Sequence, residues 1–467
     1  MSAKPFFENR TDTGHQVVVI GGGLAGVLFA IHLMRQAREP VTITIVEPRE
    51  HLGAGVAYST TEPHHVTNVP ASTMSADPDD PPALLRWLET HGDAPTGEER
   101  DAYPRRELYG RYLEDFLDRT RAEHPFLRLF HRREAAHAVI RTQHGLTVET
   151  GATPIAADVV VLATGNHAPS LPAVLKPLAG SPHCVSDPWR PNALAKVARD
   201  ARVLIVGTGL TMGDAVASLR AAGHHGELVA VSRRGHIPQR GLSKPVEPFG
   251  DFTPLPATAL ALLRRFRAEV RRAEAAGASW YAVLAAARRE AWSIWAALPL
   301  IEQRRAARSL RHVYELHRHV MPGPIHDLIA AERKRGSLRI LTGRLREARP
   351  VDDAVAITWQ PPGTVGPESE IFDVVINCTG PAYPELAQLD PLWAALSQNG
   401  LVRADFAGIG PAVDRRGRAL SAAGDPQRDV LLVGTLARSA FGELTGVREL
   451  SLQARIAAEE ALRTLVH

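Results

Sequence analysis

Two stretches of the chain follow one hydrophobic plan. Val17-Val18-Val19-Ile20 closes an apolar run over His15–Ile20, meets Gly21-Gly22-Gly23-Leu24-Ala25-Gly26, and leads into a helix-period segment over Leu24–Gln36. A second apolar run, Val41–Val46, ends on Glu47. A short, continuous apolar run bounded by glycine predicts a strand buried on both faces. Strand, glycine turn, helix and strand in that order predict a parallel βαβ unit. The plan returns at Val203–Val206, followed by Gly207-Thr208-Gly209-Leu210-Thr211-Met212-Gly213-Asp214 and an apolar run over 228–231. Each unit also has a later apolar run ending in Thr-Gly, at 158–165 and 373–380.

Between and beyond these units the pattern is mixed. Strand-like runs lie at 127–130, 138–141 and 146–149, and helical periods at 83–90 and 107–119. A long helical stretch covers 254–336, with helices predicted over 258–275, 279–297, 301–319 and 325–334. A strand at 430–434 precedes a final helix at 447–465. The fold class read from this order is α/β: two Rossmann-like dinucleotide-binding domains, one for FAD and one for NAD(P), with a helical insertion. The predicted boundaries are 1–190 for the first segment of the FAD domain and 191–369 for the NAD(P) domain with its insertion at 254–336. The FAD domain's return segment is expected over 370–467.

The glycines suggest the chemistry. A strand feeding a helix through such a turn aims backbone N–H groups and a helix N-terminus at a pyrophosphate. Gly21 permits the tight turn, Gly23 the close approach of a phosphate, and Gly26 the packing of helix on strand. Glu47 stands where an acidic residue holds ribose hydroxyls. Gly165 ends a strand whose backbone must pass close to a dinucleotide. In the second unit Gly207 and Gly209 take the corresponding places, and the third glycine falls one position late, at Gly213. Its second strand ends on Ser232-Arg233-Arg234 instead of an acid, which suits a 2′-phosphate and predicts a preference for NADPH. Asp214 is read as favouring the helix dipole.

Composition narrows the picture. Of 467 residues, 45% are hydrophobic and 22% charged, the balance of a globular protein. A formal net charge of +3 does not call for nucleic acid. The arginines between Arg264 and Arg318 alternate with Ala, Leu and Glu, as on solvated helix faces. The two cysteines, Cys184 and Cys378, form no CxxC pair, so a short-spaced redox disulfide and a thiolate zinc cluster are both excluded. His64 and His65 are adjacent and would point apart. His317 lies in no HExxH, and no metal site is expected. No Walker or GxSxG motif supports an ATPase or hydrolase. The polar start at 1–16 has no secretory core, and no apolar run nears the roughly 18 residues of a membrane span. The expectation is a cytoplasmic enzyme without nucleic-acid or membrane partners; the oligomeric state is open.

The chain resembles the bacterial FAD/NAD(P)-binding monooxygenase-like family, relatives of N-hydroxylating flavin monooxygenases. The resemblance rests on the Gly21–Gly26 loop with Glu47, on Gly53-Ala54-Gly55-Val56-Ala57-Tyr58, and on Asn68-Val69-Pro70-Ala71. It extends through Tyr103-Pro104-Arg105-Arg106-Glu107-Leu108-Tyr109-Gly110, Ala163-Thr164-Gly165-Asn166-His167 and Asp187-Pro188-Trp189. The later pieces are the Gly207 loop, His317-Arg318-His319, and Gly442-Glu443-Leu444-Thr445-Gly446-Val447-Arg448-Glu449-Leu450. It implies FAD in the first domain, NAD(P)H in the second, and a small-molecule substrate with O2. It also implies a return segment whose Gly446–Val447 helix start faces the flavin ring. The implied reaction is a monooxygenation through a flavin C4a-hydroperoxide, with substrate-orienting groups sought at Asn68, Arg318 and His319. One branch resembles an FAD-dependent urate hydroxylase, which would make urate, hydroxylated at C5 to 5-hydroxyisourate, the first substrate to expect. N-hydroxylation of an amine or amino acid is the alternative, and a non-catalytic flavin redox sensor is a third reading. The FxGxxxH signature of flavin-containing monooxygenases is missing from the sequence.

Overall fold

The computed structural model describes residues 14–91, 103–242, 246–381 and 390–466; the polar start up to residue 13 lies outside them. The first sheet runs in the order Arg418–Leu420, Pro426–Leu432, Val159–Leu162, His15–Ile20, Val41–Val46, Arg128–Arg132. All neighbours pair in parallel except Arg418–Leu420, which pairs antiparallel at the edge. His15–Ile20 is central: Val17 stands opposite Val159 on one side and Ile43 on the other, and Ile20 opposite Leu162 and Val46. Every residue of Val41–Val46 and Val159–Leu162 is buried, as an apolar run in a sheet covered on both faces requires.

The second sheet is entirely parallel, in the order Leu338–Thr342, Leu228–Ser232, Val203–Val206, Val374–Asn377, Cys184–Val185. Two of its strands, Cys184–Val185 and Val374–Asn377, lie outside the expected 191–369 span. The chain therefore enters this unit before residue 184 and leaves it after residue 377. Backbone pairing sets this limit: Val374–Asn377 completes the ladder of Val203–Val206 residue for residue.

Two three-stranded antiparallel sheets accompany these. One, Ala136–Thr142, Gly145–Thr150 and Ile155–Ala157, contains the runs at 138–141 and 146–149. The other, Arg344–Val351, Ala354–Gln360 and Glu368–Phe372, was not legible as strands. Its outer strands are mostly polar and exposed, and the middle one reaches the core chiefly through Val355, Ile357 and Trp359 on alternate positions.

The helical stretch forms as expected but in shorter pieces. The expected helix at 279–297 is divided into Trp280–Arg289 and Ala291–Ala297, and that at 301–319 into Leu300–Ser309 and Arg311–Arg318. The breaks let Trp292 and Trp295 turn toward the return segment, where their indole N–H groups donate to the carbonyls of Glu443 and Ser439 at 3.2 and 2.8 Å.

The return segment is bound into the first unit by its last helix, Val447–Val466, packed on Leu24–Gln36. Between them, His32 Nε2 lies 2.9 Å from Ser451 Oγ, while the Ser451 hydroxyl donates to Ala76 O at 2.8 Å. The serine proton is thus committed, so the imidazole must carry its own N–H on Nε2. Burial, then Arg455, lowers its pKa to about 4. In the unfolded chain a histidine takes up its proton near pH 6.5. Stability should therefore fall as pH drops from about 6.5 toward 4, and His32→Gln should flatten that slope by about 2–3 kcal/mol. Chemical denaturation at several pH values measures it; parallel curves for the two proteins would refute the assignment.

Candidate functional site

The first glycine turn is built by contact with its own sheet. Gly21 has φ +106°, and a Cβ there would stand 2.4 Å from Ala163 O. A Cβ on Gly26 would stand 2.0 Å from Gly21 O, so the helix lies against the turn closely enough to admit no side chain. Gly53 donates its N–H to Gly22 O at 2.7 Å, which brings the glycine-rich loop at 53–58 onto the same turn. Gly434 comes in from the return segment, its N–H held by Gln453 Oε1 at 3.1 Å, and a Cβ there would meet Ala25 at 2.7 Å.

Glu47 is buried at the end of its strand. One carboxylate oxygen accepts from Gly22 N–H at 3.0 Å, and the other from the backbone N–H and guanidinium of Arg49. Gly165, with φ +69°, has nothing within 4 Å of its Cβ position. Beside it His167 Nδ1 lies 3.3 Å from Asp390, and its buried Nε2 has no hydrogen-bond partner. A cradle of glycines that exclude Cβ atoms, an open Gly165 and an orphaned imidazole nitrogen fit a dinucleotide.

The second turn has the same construction. Gly207 has φ +115° and would place a Cβ 2.3 Å from Cys378 O. Gly209, at the start of the helix Leu210–Ala221, has no atom within 4 Å of its Cβ position, leaving room for a phosphate at the helix N-terminus. The late glycine has its own reason. Gly213 faces Ile325 and Met321, at 2.9 and 3.1 Å from its Cβ position, and so seats the neighbouring helix Gly323–Arg335. Ser232 Oγ accepts from Thr208 Oγ1 and from Gly235 N–H at 2.9 and 3.0 Å, closing the turn onto the strand end. Arg233 and Arg234 are exposed and make no ion pair with the described residues. Next to them His312 stacks on His236, with ring centroids 5.8 Å apart. Burial, then Arg234, holds the His312 imidazole below its ordinary pKa.

Between the two units lies a seam that the glycines did not announce. Arg106 Nη2 donates to Asp214 Oδ2 at 3.0 Å, its Nε to Val66 O at 2.9 Å, and its guanidinium covers the Trp189 ring at 4.9 Å. His65 joins the seam, with Nε2 3.0 Å from Ser218 Oγ. Asp214 is therefore a buried ion-pair partner across the seam as well as a residue at a helix start.

The three groups expected to orient substrate are placed differently from one another. Asn68 is half-buried, and its carboxamide bonds to none of the described residues. Arg318 is buried and paired: its Nε donates to Glu443 Oε1 at 3.2 Å, both side chains being 6% exposed. Its remaining reach is toward Gly446, where Nη2 is 3.1 Å from the Cβ position. Arg318, expected to orient substrate, is thus committed through Nε to Glu443. A guanidinium buried against a carboxylate positions its neighbours, since leaving either charge unpaired is costly. Glu443 also accepts from Thr445 Oγ1 at 2.5 Å and from the Tyr314 hydroxyl. Although burial alone would raise it, Arg318 leads the groups that bring its carboxyl down to about 2. His319, by contrast, is pushed down to about 4 by burial and then by Arg318, and is neutral at pH 7. The Gly446–Val447 helix start is shared with Glu449, whose Oε1 accepts from Arg288 at 3.0 Å and whose Oε2 lies 2.0 Å from the Gly446 Cβ position. Glu443 belongs to the Gly442–Val447 stretch that carries the family resemblance, but nothing in its spacing to Arg318 revealed the pairing. Arg288, Tyr314 and Arg106 were likewise silent.

No cluster of three metal-ligating side chains occurs among the described residues, and no described helix is long and apolar enough to cross a membrane.

Residues 18–167, which contain the first glycine turn, match the FAD-NAD(P)-binding family. No protein of curated function matches the sequence. Among solved structures, the reduced ornithine hydroxylase of Pseudomonas aeruginosa aligns over 97% of this chain and 100% of its own, with a TM-score of 0.66 at 14% identity. The cadaverine monooxygenase of Erwinia amylovora, bound to FAD, aligns over 97% and 95% with a TM-score of 0.64 at 14% identity. The L-lysine 6-monooxygenase of Pseudomonas syringae aligns over 97% and 99% with a TM-score of 0.63 at 17% identity. The chain shares the fold of these three enzymes along nearly its whole length, with two dinucleotide-binding domains.

Proposed function

We propose that the chain is an FAD-dependent, NADPH-consuming monooxygenase that N-hydroxylates a primary amine or amino acid. The observation that carries this reading is the fold shared over 97% of the chain with three enzymes whose substrates are amines. Urate, the first expectation, gains no support from any of these structures, and the amine reading replaces it. The residues that meet FAD would be Gly21, Gly23, Gly26, Glu47, Asn68, Gly165, Gly446 and Val447. Gly207, Gly209, Ser232, Arg233 and Arg234 would meet NADPH.

When bound, the nicotinamide supplies hydride and the flavin activates O2. The protein's own part is placement and charge. Gly21 and Gly207 let each dinucleotide lie on its helix start. The N–H groups at Gly446–Val447 favour negative charge on a reduced ring, and Arg318 with Glu443 fixes that helix start against the helical insertion. Arg106 and Asp214 hold the two units in one orientation, as hydride transfer between their cofactors requires. His319, neutral at pH 7, can accept a hydrogen bond from a substrate N–H and so orient it, but with its pKa held at about 4 it is too weak a base to take the proton of an ammonium.

The test is aerobic NADPH oxidation by the FAD-loaded protein with ornithine, lysine, cadaverine or urate, measuring peroxide and hydroxylamine together. Hydroxylamine formed in step with NADPH from one amine is expected. Urate-stimulated turnover without peroxide would overturn the amine reading. In the same assay, Arg233→Ala with Arg234→Ala should raise KM for NADPH about tenfold or more and leave that for NADH unchanged. An unchanged NADPH value would remove the 2′-phosphate assignment.

A further inference from the structure

Away from both glycine turns, the helix Leu300–Ser309 and the loop at 405–409 flank an open cavity of about 370 Å³, lined by Arg304, Arg308, Arg311 and Asp405. The volume falls in the range of small-molecule sites. Three features set this cavity apart from an ordinary solvated helix face.

Its charge is unbalanced. Arg304 and Arg308, four residues apart on one helix face, make no ion pair with the described residues, and like charges at that spacing repel. Arg311 gives its Nε to Glu315 at 2.7 Å. Asp405, the one carboxylate in the lining, is turned into its own loop, where Oδ2 accepts from Ala407 N–H at 2.8 Å. It does not neutralise the arginines.

One of the arginines is also held in place by an aromatic ring. The Arg304 guanidinium lies over the Phe406 ring at 5.1 Å. A guanidinium held over an aromatic ring, with no carboxylate among the described residues paired to it, has N–H donors to offer a carboxylate or phosphate. Phe406 is held half-exposed to serve as that platform.

Finally, the loop is fixed. Asp405 N–H donates to Gly410 O at 2.9 Å, and Ser439 Oγ donates to Pro411 O at 2.7 Å, tying the loop to the return segment.

We propose that this cavity binds a small organic or inorganic anion carrying two or more negative charges, held by Arg304 and Arg308 with Arg311 at the rim. The shared chemistry is an oxyanion with several acceptors, supplied by a polycarboxylate or by a phosphoryl group. The site stands independently of the amine reading.

The experiment is isothermal titration of the FAD-loaded protein with citrate, with pyrophosphate, and with acetate at matched ionic strength. Citrate or pyrophosphate should bind at one site per chain, and acetate should not. Arg304→Gln with Arg308→Gln should weaken that binding by roughly a hundredfold, about tenfold for each guanidinium replaced. Flavin content, unliganded melting temperature and basal NADPH oxidation should stay as in the parent, showing an intact fold. Binding of citrate alone assigns a carboxylate ligand, and of pyrophosphate alone a phosphoryl ligand. Equal affinity in parent and variant, equal binding of acetate, or no heat from either polyanion would overturn the site.

Discussion

Arg318→Ala is expected to cost about 3–5 kcal/mol of folding stability, the usual penalty for stranding one charge of a buried pair. The loss arises at Glu443, which is as buried as its partner and would keep only the Tyr314 and Thr445 hydroxyls as donors. The pH dependence identifies the cause. In the intact protein the Glu443 carboxyl is held at about 2, below its ordinary 4.5. A depressed carboxylate contributes stability that is present above the unfolded value and is lost as pH falls through the folded one. The difference between parent and Arg318→Ala should therefore be full near neutrality and shrink as pH falls toward 2, where Glu443 is protonated in both. Adding Glu443→Gln should recover part of the loss, because a neutral amide no longer needs the guanidinium. Denaturant unfolding of the four proteins of this cycle gives the coupling. A penalty under about 1 kcal/mol, the range of an exposed pair, would mean that the insertion and the return segment are joined elsewhere.

Gly207→Ala should separate the two cofactors. The substituted residue must take φ +115° with its Cβ 2.3 Å from Cys378 O, and neither atom belongs to a flexible side chain that could yield. The second turn must move away from the Val374–Asn377 strand, taking the phosphate-facing helix start with it. The kcat/KM for NADPH is expected to fall on the order of a hundredfold, about 2.7 kcal/mol at the transition state. Flavin content and reduction by dithionite should persist, since the first turn is untouched. Gly26→Ala, whose Cβ would stand 2.0 Å from Gly21 O, should instead lose flavin. Normal NADPH kinetics in Gly207→Ala would place the nicotinamide nucleotide elsewhere on the chain.

Much of this layout was legible in the chain itself. His15–Ile20, Leu24–Gln36 and Val41–Val46 form over the residues their patterns marked, and the final helix agrees to within one residue. Those segments share a strong local code: unbroken apolar runs, glycine at the turn and a helical period afterwards. The sheet Arg344–Val351, Ala354–Gln360 and Glu368–Phe372 has only a weak code in the sequence, because its stability comes from pairing and from one buried face. The candidate site divided in the same way. The glycines carried their role in their spacing, because a turn that excludes Cβ atoms is a local property. Arg318 was legible as a noteworthy residue but not as the partner of Glu443, 125 positions away.

The sequence alone thus determined the two dinucleotide turns, the strands and helices that build them, and the lack of a short-spaced redox disulfide. Each depends on residues within a few positions of one another, where backbone sterics and hydrophobic period act directly. Only the tertiary structure decided that Arg106 meets Asp214 across the seam, that Arg318 is spent on Glu443, and that Arg304 and Arg308 face an open cavity flanked by a loop about a hundred residues later. Charge pairing has no sequence period: any guanidinium can meet any carboxylate, and the choice is made by the packing that brings distant elements together and excludes water from between them.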